Sequence, residues 1–257
     1  MQIHARYTHQ TIWIIGATTG IGRALAEQLA REGATLALSA RNASALTELA
    51  QQLGPHHTSH PLDVADSSAV SAAAQAIWDT HPQVDRVLFM AAAYTPMRLT
   101  QMDLAVATQM VTTNLTGALN LLHAALPKLI AQPHGQIALC SSVAAYTGLP
   151  GGQPYSATKA GITNLTESLY GELPCHINVK LISPGFVHTP LTAKNNFEMP
   201  AIITPESAAR AIADGLLKTN FEIHFPKRFT LMLKLLQHLP YRLRLTLARK
   251  TDSTTKK

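Results

Sequence analysis

A tyrosine and a lysine stand four residues apart in the segment Tyr155-Ser-Ala-Thr-Lys159. In a helix this spacing places both side chains on one face, and Pro154 suits the first turn of such a helix. An ammonium held close to a phenol favours the phenolate, so Lys159 should lower the pKa of Tyr155 from its usual value of about 10. The pair therefore predicts a tyrosine that donates or accepts a proton near neutral pH.

Two other features strengthen this interpretation, since a tyrosine and a lysine meet at this spacing by chance in many helices. Ser142 stands thirteen residues before Tyr155, with Ser141 beside it. A glycine-rich stretch lies near the start of the chain and runs Gly16-Ala-Thr18-Thr19-Gly20-Ile21-Gly22.

The chain must hold these residues together, and its apolar pattern predicts how. An apolar run at 11–15 predicts a buried first strand that leads directly into the glycine-rich stretch. Further strands are predicted at 33–39, 56–62, 84–92, 136–141, 176–182 and 221–225. Helices are predicted from the glycine-rich stretch to 30, at 43–53, from a cap at 66–68 to 80, at 103–130 with a bend or break near Pro127, at 154–173 and at 205–218.

Strands that alternate with helices in this way predict parallel βαβ units with right-handed crossovers. We expect one Rossmann-type α/β domain with a doubly wound parallel sheet of about seven strands at residues 1–226, and a basic, apolar C-terminal extension at 227–257. Ligands of such sheets lie at the carboxyl ends of the strands. Gly22, Ser142 and Gly185 all follow strands, so they should converge there.

The glycine-rich stretch predicts a dinucleotide site. Glycines let the backbone approach a diphosphate, and the following helix offers unpaired N–H groups at its N-terminus. A tight turn without a ligand is the alternative. At the end of the second strand an acid would select NAD, but the chain has Ala40 and Arg41 there. This favours the 2′-phosphate of NADP, unless Arg41 is only a solvated surface charge.

These motifs together resemble the classical short-chain dehydrogenase/reductase family over roughly residues 10–225. The resemblance rests on the glycine-rich turn, Asp63-Val64 after the third strand, Asn114 in Thr-Asn-Leu-Thr-Gly, Ser142, the Tyr155/Lys159 pair, and Ser183-Pro184-Gly185-Phe-Val187-His-Thr189-Pro190.

The resemblance implies a catalytic set of four residues. Tyr155 would exchange a proton with the reacting oxygen, and Ser142 would donate a hydrogen bond to that oxygen. Lys159 would lower the tyrosine pKa and bond the nicotinamide ribose. Asn114 would hold a water that links Lys159 to solvent, although a helix-kinking or capping role is the alternative for Asn114.

The resemblance also implies a cofactor site, with Asp63 and Val64 at the adenine and Thr189 at the nicotinamide end. The predicted cofactor-binding residues are Gly16, Thr18, Thr19, Gly20, Ile21, Gly22, Arg41, Asp63, Val64, Ala91, Ala92, Asn114, Tyr155, Lys159, Pro184, Gly185, Val187 and Thr189. Two positions depart from the family pattern. Ile15 replaces a threonine, and Met90-Ala-Ala-Ala93 replaces Asn-Asn-Ala-Gly, where alanine still lets the backbone pass close to the adenosine.

The function expected from these residues is an NADP-dependent oxidoreductase that acts on a carbonyl/alcohol pair. A non-catalytic NADP(H)-binding redox sensor on the same fold is the rival, and an isomerase or epimerase is more distant. The family's usual assemblies imply a homodimer or homotetramer that pairs through the tyrosine-bearing helix. A largely apolar substrate loop at 189–204 hints at a hydrophobic substrate.

The positive net charge of +6 is confined to the C-terminal extension. Nine Lys or Arg and one acid lie from Lys227 onward, so the extension carries +8 and the preceding residues carry −2. The nearly neutral body argues against nucleic-acid binding. The extension could cover the cleft, pack between subunits, or lie on an anionic membrane surface. Packing on the body or on a partner subunit is the first expectation, and peripheral membrane contact is the second. Its second half, with leucines alternating at 243, 245 and 247, could be a strand.

Three further expectations come from composition. Neither a signal-peptide core nor an apolar run of about 18 residues is present, so we expect a cytoplasmic protein. Cys140 and Cys175 fall in strand-like segments and should be buried free thiols. No metal site is expected, because no acid or cysteine completes a set with His56, His57 and His60.

Overall fold

The computed structural model describes residues 5–250 and contains one parallel sheet in the order β3-β2-β1-β4-β5-β6-β7. The sheet confirms the prediction of a single Rossmann-type α/β domain. The strands are β1 Thr11–Ile15, β2 Thr35–Ser39, β3 Thr58–Ser59, β4 Arg86–Phe89, β5 Gly135–Cys140, β6 Ile177–Pro184 and β7 Glu222–Phe225.

Helices connect the strands and cover both faces of the sheet. They are α1 Gly20–Arg31, α2 Ala43–Leu53, α3 Ser67–Thr80, α4 Leu104–Val111, α5 Gly117–Ile130, α6 Tyr155–Glu172, α7 Pro205–Leu216, α8 Lys227–Gln237 and α9 Tyr241–Lys250. The predicted cap of α3 is confirmed, since Asp66 accepts from the backbone N–H groups of Ser68 at 2.9 Å and Ala69 at 3.1 Å.

Alternate residues of β1 show how the sheet is buried. Ile12 and Ile14 pack into one core layer with α1 and α7, while Trp13 and Ile15 pack into the opposite layer with α3 and α5. A strand with four successive buried apolar residues fits a parallel sheet covered on both faces. The carboxyl ends of the strands stay at one edge, where the loops that carry the predicted site residues begin.

The long helix predicted at 103–130 is interrupted, but at a different place from the one expected. A π-helical turn at Thr112–Thr116 separates α4 from α5, and α5 continues past Pro127 to Ile130. Ala125 and Leu129, on either side of Pro127, are buried, and this packing holds the last turn in place. The π turn contains Asn114, and such turns are frequent at functional sites.

Three other expectations from the sequence are wrong in detail. The third strand has two residues instead of the predicted seven, because it lies at the edge of the sheet and pairs only with β2. Residues 241–250 form α9 rather than a strand, since Leu, Arg, Ala and Lys are strong helix formers. Cys140 is buried as expected, whereas Cys175 is exposed just before β6; in the described chain both are free thiols.

The C-terminal extension forms two short helices on the outside of the domain. Helix α8 packs on β7, and α9 leaves most of its side chains exposed. Across residues 5–250, no helix combines the length and the apolar character needed to cross a bilayer.

Candidate active site

The turn after β1 is pressed against the segment that follows β4. Gly16 has a φ of +92°, and a Cβ at this position would lie 2.6 Å from the backbone nitrogen of Ala91. A Cβ on Gly22 would lie 2.0 Å from the carbonyl oxygen of Gly16. Both positions therefore require glycine, and the turn brings backbone, rather than side chains, to the edge of the sheet.

The N-terminus of α1 opens toward this edge. Thr19, at the N-cap, makes no side-chain capping bond, and the first turn of the helix holds no acid. The loop after β6 closes over it, because a Cβ on Gly20 would lie 3.0 Å from the Thr189 methyl group. Free helix N–H groups beside a glycine backbone fit the diphosphate of a dinucleotide.

The predicted adenosine-binding residues lie along the same edge. Arg41 is exposed directly after β2, and Ala40 is buried. Asp63 is exposed and accepts from the backbone N–H of Ala65 at 2.9 Å. Val64 is buried against the start of α5, where a Cβ on Gly117 would come within 2.7 Å of its side chain.

Asn114 is fully buried and uses its amide to join two elements. Its Oδ1 accepts from the N–H of Ala93 at 2.6 Å, and its Nδ2 donates to the carbonyl of Ala93 at 2.9 Å and to Thr158 Oγ1 at 3.1 Å. Asn114 thus ties the segment after β4 to the first turn of α6. This contact holds the alanine-rich segment at 90–93 in which the family's asparagines are missing.

Helix α6 brings Tyr155 and Lys159 together as predicted. Lys159 Nζ lies 5.6 Å from the centre of the Tyr155 ring and donates to the Cys140 carbonyl at 2.7 Å. Lys159 is 1 % exposed, and burial lowers its pKa. The lysine is therefore held by the end of β5 as well as by its own helix.

The expectation that Lys159 lowers the pKa of Tyr155 is wrong, because this pKa is raised. Burial raises the pKa of Tyr155, with a smaller contribution in the same direction from the Cys140 thiol, while a hydrogen bond with Ser142 opposes both. Ser142 lies at the start of a short turn and accepts from the N–H of Ala144 at 3.1 Å. Ser142 and Tyr155 therefore share a polar contact, and the phenol keeps its proton at neutral pH.

Tyr94 is a site residue that the sequence interpretation missed. Its ring packs edge-on to Tyr155 with 4.9 Å between centres, and its hydroxyl donates to Asn195 Oδ1 at 2.8 Å. Lys194 donates to the Tyr94 carbonyl at 2.7 Å. The loop at 189–204 is thereby held beside Tyr155. The position of Tyr94, one residue after the segment at 90–93, is the feature that could have indicated it.

The loop after β6 carries the remaining predicted residues. Pro184 ends β6, Val187 is buried, and Thr189 bonds with the Thr192 hydroxyl. The backbone of Gly185 packs against the start of α8, because a Cβ at this position would lie 3.1 Å from Pro226 and 3.2 Å from Phe229. The structure thus places Thr189 at the glycine-rich turn and Gly185 against α8.

Aromatic contacts continue from this loop. Phe186 lies 5.8 Å from Phe197 of the substrate loop and 5.9 Å from Phe229 of α8, measured between ring centres. The substrate loop therefore has an apolar border shared with the C-terminal extension. Among residues 5–250, no three His, Cys, Asp or Glu side chains are grouped to hold a metal ion.

Comparison with protein families gives a match to the short chain dehydrogenase model over residues 10–199. Among curated relatives, an uncharacterized oxidoreductase of Myxococcus xanthus is 30% identical over 240 residues, which cover 92% of this chain and 95% of the relative.

Solved structures share the fold. An alcohol dehydrogenase from Thermococcus sibiricus, complexed with 5-hydroxy-NADP, superimposes with a TM-score of 0.76 at 26% identity and covers 84% of this chain and 95% of that one. A short chain dehydrogenase/reductase from Burkholderia phymatum in complex with NAD gives a TM-score of 0.81 at 21% identity over 91% of this chain and 94% of that one.

Proposed function

The chain belongs to the short-chain dehydrogenase family, an oxidoreductase family that uses nicotinamide cofactors, and from this premise we propose that it is an NADP-dependent oxidoreductase acting on a carbonyl/alcohol pair. The proposal is carried by one observation: Ser142, Tyr155 and Lys159 meet at the sheet edge that also holds the glycine-rich turn.

Each catalytic side chain has a distinct task in this proposal. When bound, the nicotinamide supplies or accepts the hydride. The Tyr155 hydroxyl gives its proton to the carbonyl oxygen during reduction, and Ser142 donates a hydrogen bond that stabilises negative charge on that oxygen. Lys159 bonds the nicotinamide ribose and supplies a positive charge near the phenol. Because burial keeps Tyr155 protonated, its hydroxyl carries the proton that carbonyl reduction needs at neutral pH.

Asn114 holds a water next to Lys159 in this scheme and keeps the segment after β4 in place. Its amide already bonds Ala93 and Thr158, so the water would be held by the backbone of the π turn. The side chain then has a positioning task.

The preference for NADP is supported by the end of β2. Arg41 is exposed there, and the chain has no acid at this position that would bind a ribose 2′-hydroxyl and repel a 2′-phosphate. The Thermococcus sibiricus enzyme was solved with an NADP derivative. The experiment is cofactor oxidation measured with NADPH and NADH against aldehydes, ketones, quinones and steroids; a strong preference for NADH would overturn this assignment.

A hydrophobic substrate is supported by the substrate loop. Phe197 packs against Phe186 and is still 52% exposed, so the loop presents an aromatic surface near Tyr94. The panel above tests this directly, because kcat/KM should rise with the apolar area of the carbonyl compound.

A non-catalytic redox sensor is the second candidate, and the contact between Tyr94 and Tyr155 favours it. The Tyr94 ring packs edge-on against the Tyr155 ring, and a phenol that is already in contact with another side chain would suit a protein that binds the cofactor without turnover. Tight NADPH binding without oxidation against the whole panel would support the sensor. Turnover that is lost in Tyr155→Phe, while NADPH still binds, would support the enzyme.

Assembly as a homodimer or homotetramer through the α6 region is part of the proposal. Leu104, Val111 and Leu119 on α4 and α5 are exposed large apolar residues, and α4 packs beside α6. Light scattering on the purified protein tests this. A dimer or tetramer that dissociates in Leu119→Glu would support pairing here, and a monomeric wild type would refute it.

We place the protein in the cytoplasm, in peripheral contact with an anionic membrane through α8 and α9. Leu231, Leu235 and Leu243 are 55%, 72% and 57% exposed, and residues 227–250 include seven Lys or Arg and no acid. Two copies of this surface would repel each other, whereas anionic headgroups complement it. A larger fraction of the wild type than of the Leu231→Glu/Leu235→Glu variant should sediment with vesicles that contain 30% phosphatidylglycerol. If the wild type sediments equally with vesicles of pure phosphatidylcholine, the contact with an anionic membrane is refuted.

A further inference from the structure

A polar cluster of four side chains, Tyr146, Ser183, Glu222 and Lys234, lies between the sheet and helix α8, outside the predicted site. Glu222, at the start of β7, accepts a hydrogen bond from the hydroxyl of Tyr146 at 2.8 Å. The other oxygen of Glu222 forms an ion pair with Lys234 of α8. The side chains of Glu222 and Lys234 are only 18% and 29% exposed, so the pair is largely withdrawn from solvent.

Three side chains oppose the effect of burial on Glu222. Burial acts to raise the pKa of Glu222, but the hydrogen bonds from Lys234, Ser183 and Tyr146 outweigh burial, and the pKa is lowered overall. The pKa of Tyr146 is raised by burial and by the neighbouring carboxylate, so its hydroxyl remains a donor. A buried carboxylate that loses one partner is left poorly compensated.

Tyr146 connects this cluster to the catalytic serine. It ends the short turn Val143–Ala145, whose first residue follows Ser142. The turn is closed by the Tyr146 N–H, which donates to the Val143 carbonyl at 3.1 Å. On the other side, Ser156 of α6 donates its hydroxyl to the Ala144 carbonyl at 2.5 Å. The turn is therefore fastened to α6 by Ser156 and to β7 by the Tyr146 side chain.

Helix α8 is held on the sheet by contacts along one face. Phe229 packs against Phe186, and the Thr230 hydroxyl bonds with His224 Nδ1 at 2.5 Å. Lys234 follows Thr230 by four residues, so its side chain lies on the same face. The ion pair with Glu222 is thus the third contact that holds α8 on the domain, and the second that joins α8 to β7.

We infer that Tyr146, Glu222 and Lys234 are positioning residues that hold the Ser142 hydroxyl beside Tyr155. Helix α8 then stabilises the turn at 143–145 through Lys234 and Glu222. This inference rests on the proposed function, because it assigns the cluster to the same reaction. It gives the first half of the C-terminal extension a part in catalysis that is independent of any membrane contact.

The test is steady-state kinetics of the full chain with NADPH and the best carbonyl substrate of the panel. Tyr146→Phe should lower kcat roughly tenfold to hundredfold, since small misplacements of a catalytic group have effects of this size. The KM for NADPH should stay unchanged, because the glycine-rich turn is untouched. Lys234→Ala should also lower kcat, and Lys234→Arg, which keeps the charge, should restore most of it.

Tyr170→Phe is the matched control. Tyr170 is an exposed tyrosine on α6 whose ring packs 5.2 Å from Phe221, next in sequence to Glu222. The Tyr170→Phe variant loses a phenol hydroxyl, as Tyr146→Phe does, but Tyr170 is not connected to the turn that carries Ser142. The Tyr170→Phe variant should therefore keep the wild-type kcat. Melting temperatures are measured for every variant, so that a loss of rate can be separated from a loss of stability.

Two results would overturn the inference. One is a Tyr146→Phe enzyme with wild-type kcat, while Ser142→Ala is inactive. The other is an equal loss of kcat in Tyr146→Phe and Tyr170→Phe that follows the melting temperature, which would make the cluster purely structural. A wild type without turnover on any substrate would instead refute the proposed function, and this inference with it.

Discussion

The ring of Tyr94 lies edge-on to the ring of Tyr155, with 4.9 Å between the ring centres and 65° between the planes. Tyr94 lies in the loop after β4, and Tyr155 is the first residue of helix α6. Tyr94 also bonds Asn195 through its hydroxyl and Lys194 through its carbonyl. The Tyr155 phenol and the loop at 189–204 are therefore linked by one aromatic side chain.

Replacing Tyr94 should change substrate binding more than cofactor binding. Tyr94→Ala removes the ring contact, worth about 1 kcal/mol, and should raise the KM of an apolar carbonyl substrate about fivefold. Tyr94→Phe keeps the ring and loses only the bond to Asn195, so its effect should be smaller. Steady-state kinetics with both variants measures this. A rise in the KM for NADPH alone would place Tyr94 in the cofactor site instead.

The pH dependence should differ between the two directions of the reaction. The pKa of Tyr155 is raised by burial, so the phenol is protonated across the neutral range and its phenolate fraction grows about tenfold per pH unit. Alcohol oxidation, which needs the phenolate, should therefore rise with pH from 7 to 9. Carbonyl reduction needs the proton, so its rate should not decline at any pH lower than the raised pKa of Tyr155. An oxidation rate that is flat over this range would contradict the prediction, and Tyr155→Phe should lose roughly 10²- to 10⁴-fold in both directions.

The cofactor preference should depend on Arg41. A hydrogen bond to a charged group is worth about 1.5–3 kcal/mol, or roughly 10- to 100-fold in affinity. Arg41→Ala should raise the KM for NADPH by this factor and leave the KM for NADH unchanged. Arg31→Ala is the control, because Arg31 lies at the far end of α1. If both cofactors weaken equally in Arg41→Ala, the arginine does not bind a 2′-phosphate.

Asn114 should be needed for stability as well as for activity. Asn114→Ala leaves the backbone groups of Ala93 without their side-chain partner, which should cost about 1–3 kcal/mol of unfolding free energy. Urea unfolding measures this change. Asn164→Ala, at an exposed position of α6, should stay within about 0.5 kcal/mol of wild type. Wild-type stability in Asn114→Ala would show that the bonds from the Asn114 amide to Ala93 do not stabilise the fold.

Local sequence patterns were enough to predict the elements whose ends are set by neighbouring residues. The bounds of β1 and α2 match the prediction, because the glycine-rich turn ends the strand and Asn42 caps the helix through the N–H of Ala45. The four-residue spacing likewise predicted that Tyr155 and Lys159 lie together on one helix, as they do on α6.

The features that were missed depend on contacts between distant residues. Tyr146 and Glu222 are 76 positions apart, and Tyr94 and Asn195 are 101 apart, so no local pattern links them. The π turn around Asn114 shifts the helical bonds without a change in apolar spacing. The burial that raises the Tyr155 pKa also comes from the whole fold, whereas the sequence offered only the nearby lysine.

The close approach at Gly16 predicts a variant that tests the cofactor site directly. A Cβ in Gly16→Ala would meet backbone atoms of Met90 and Ala91 at 2.6–2.9 Å, and the φ of +92° disfavours any side chain. The two segments must then separate, so the variant should lose NADPH binding and several degrees of melting temperature. Gly171→Ala is the matched control, since a Cβ there meets nothing within 4 Å in an exposed helical turn, and alanine should stabilise that helix by about 0.5–1 kcal/mol. Fluorescence titration with NADPH measures the loss, and wild-type affinity in Gly16→Ala would mean that the turn is not where the diphosphate binds.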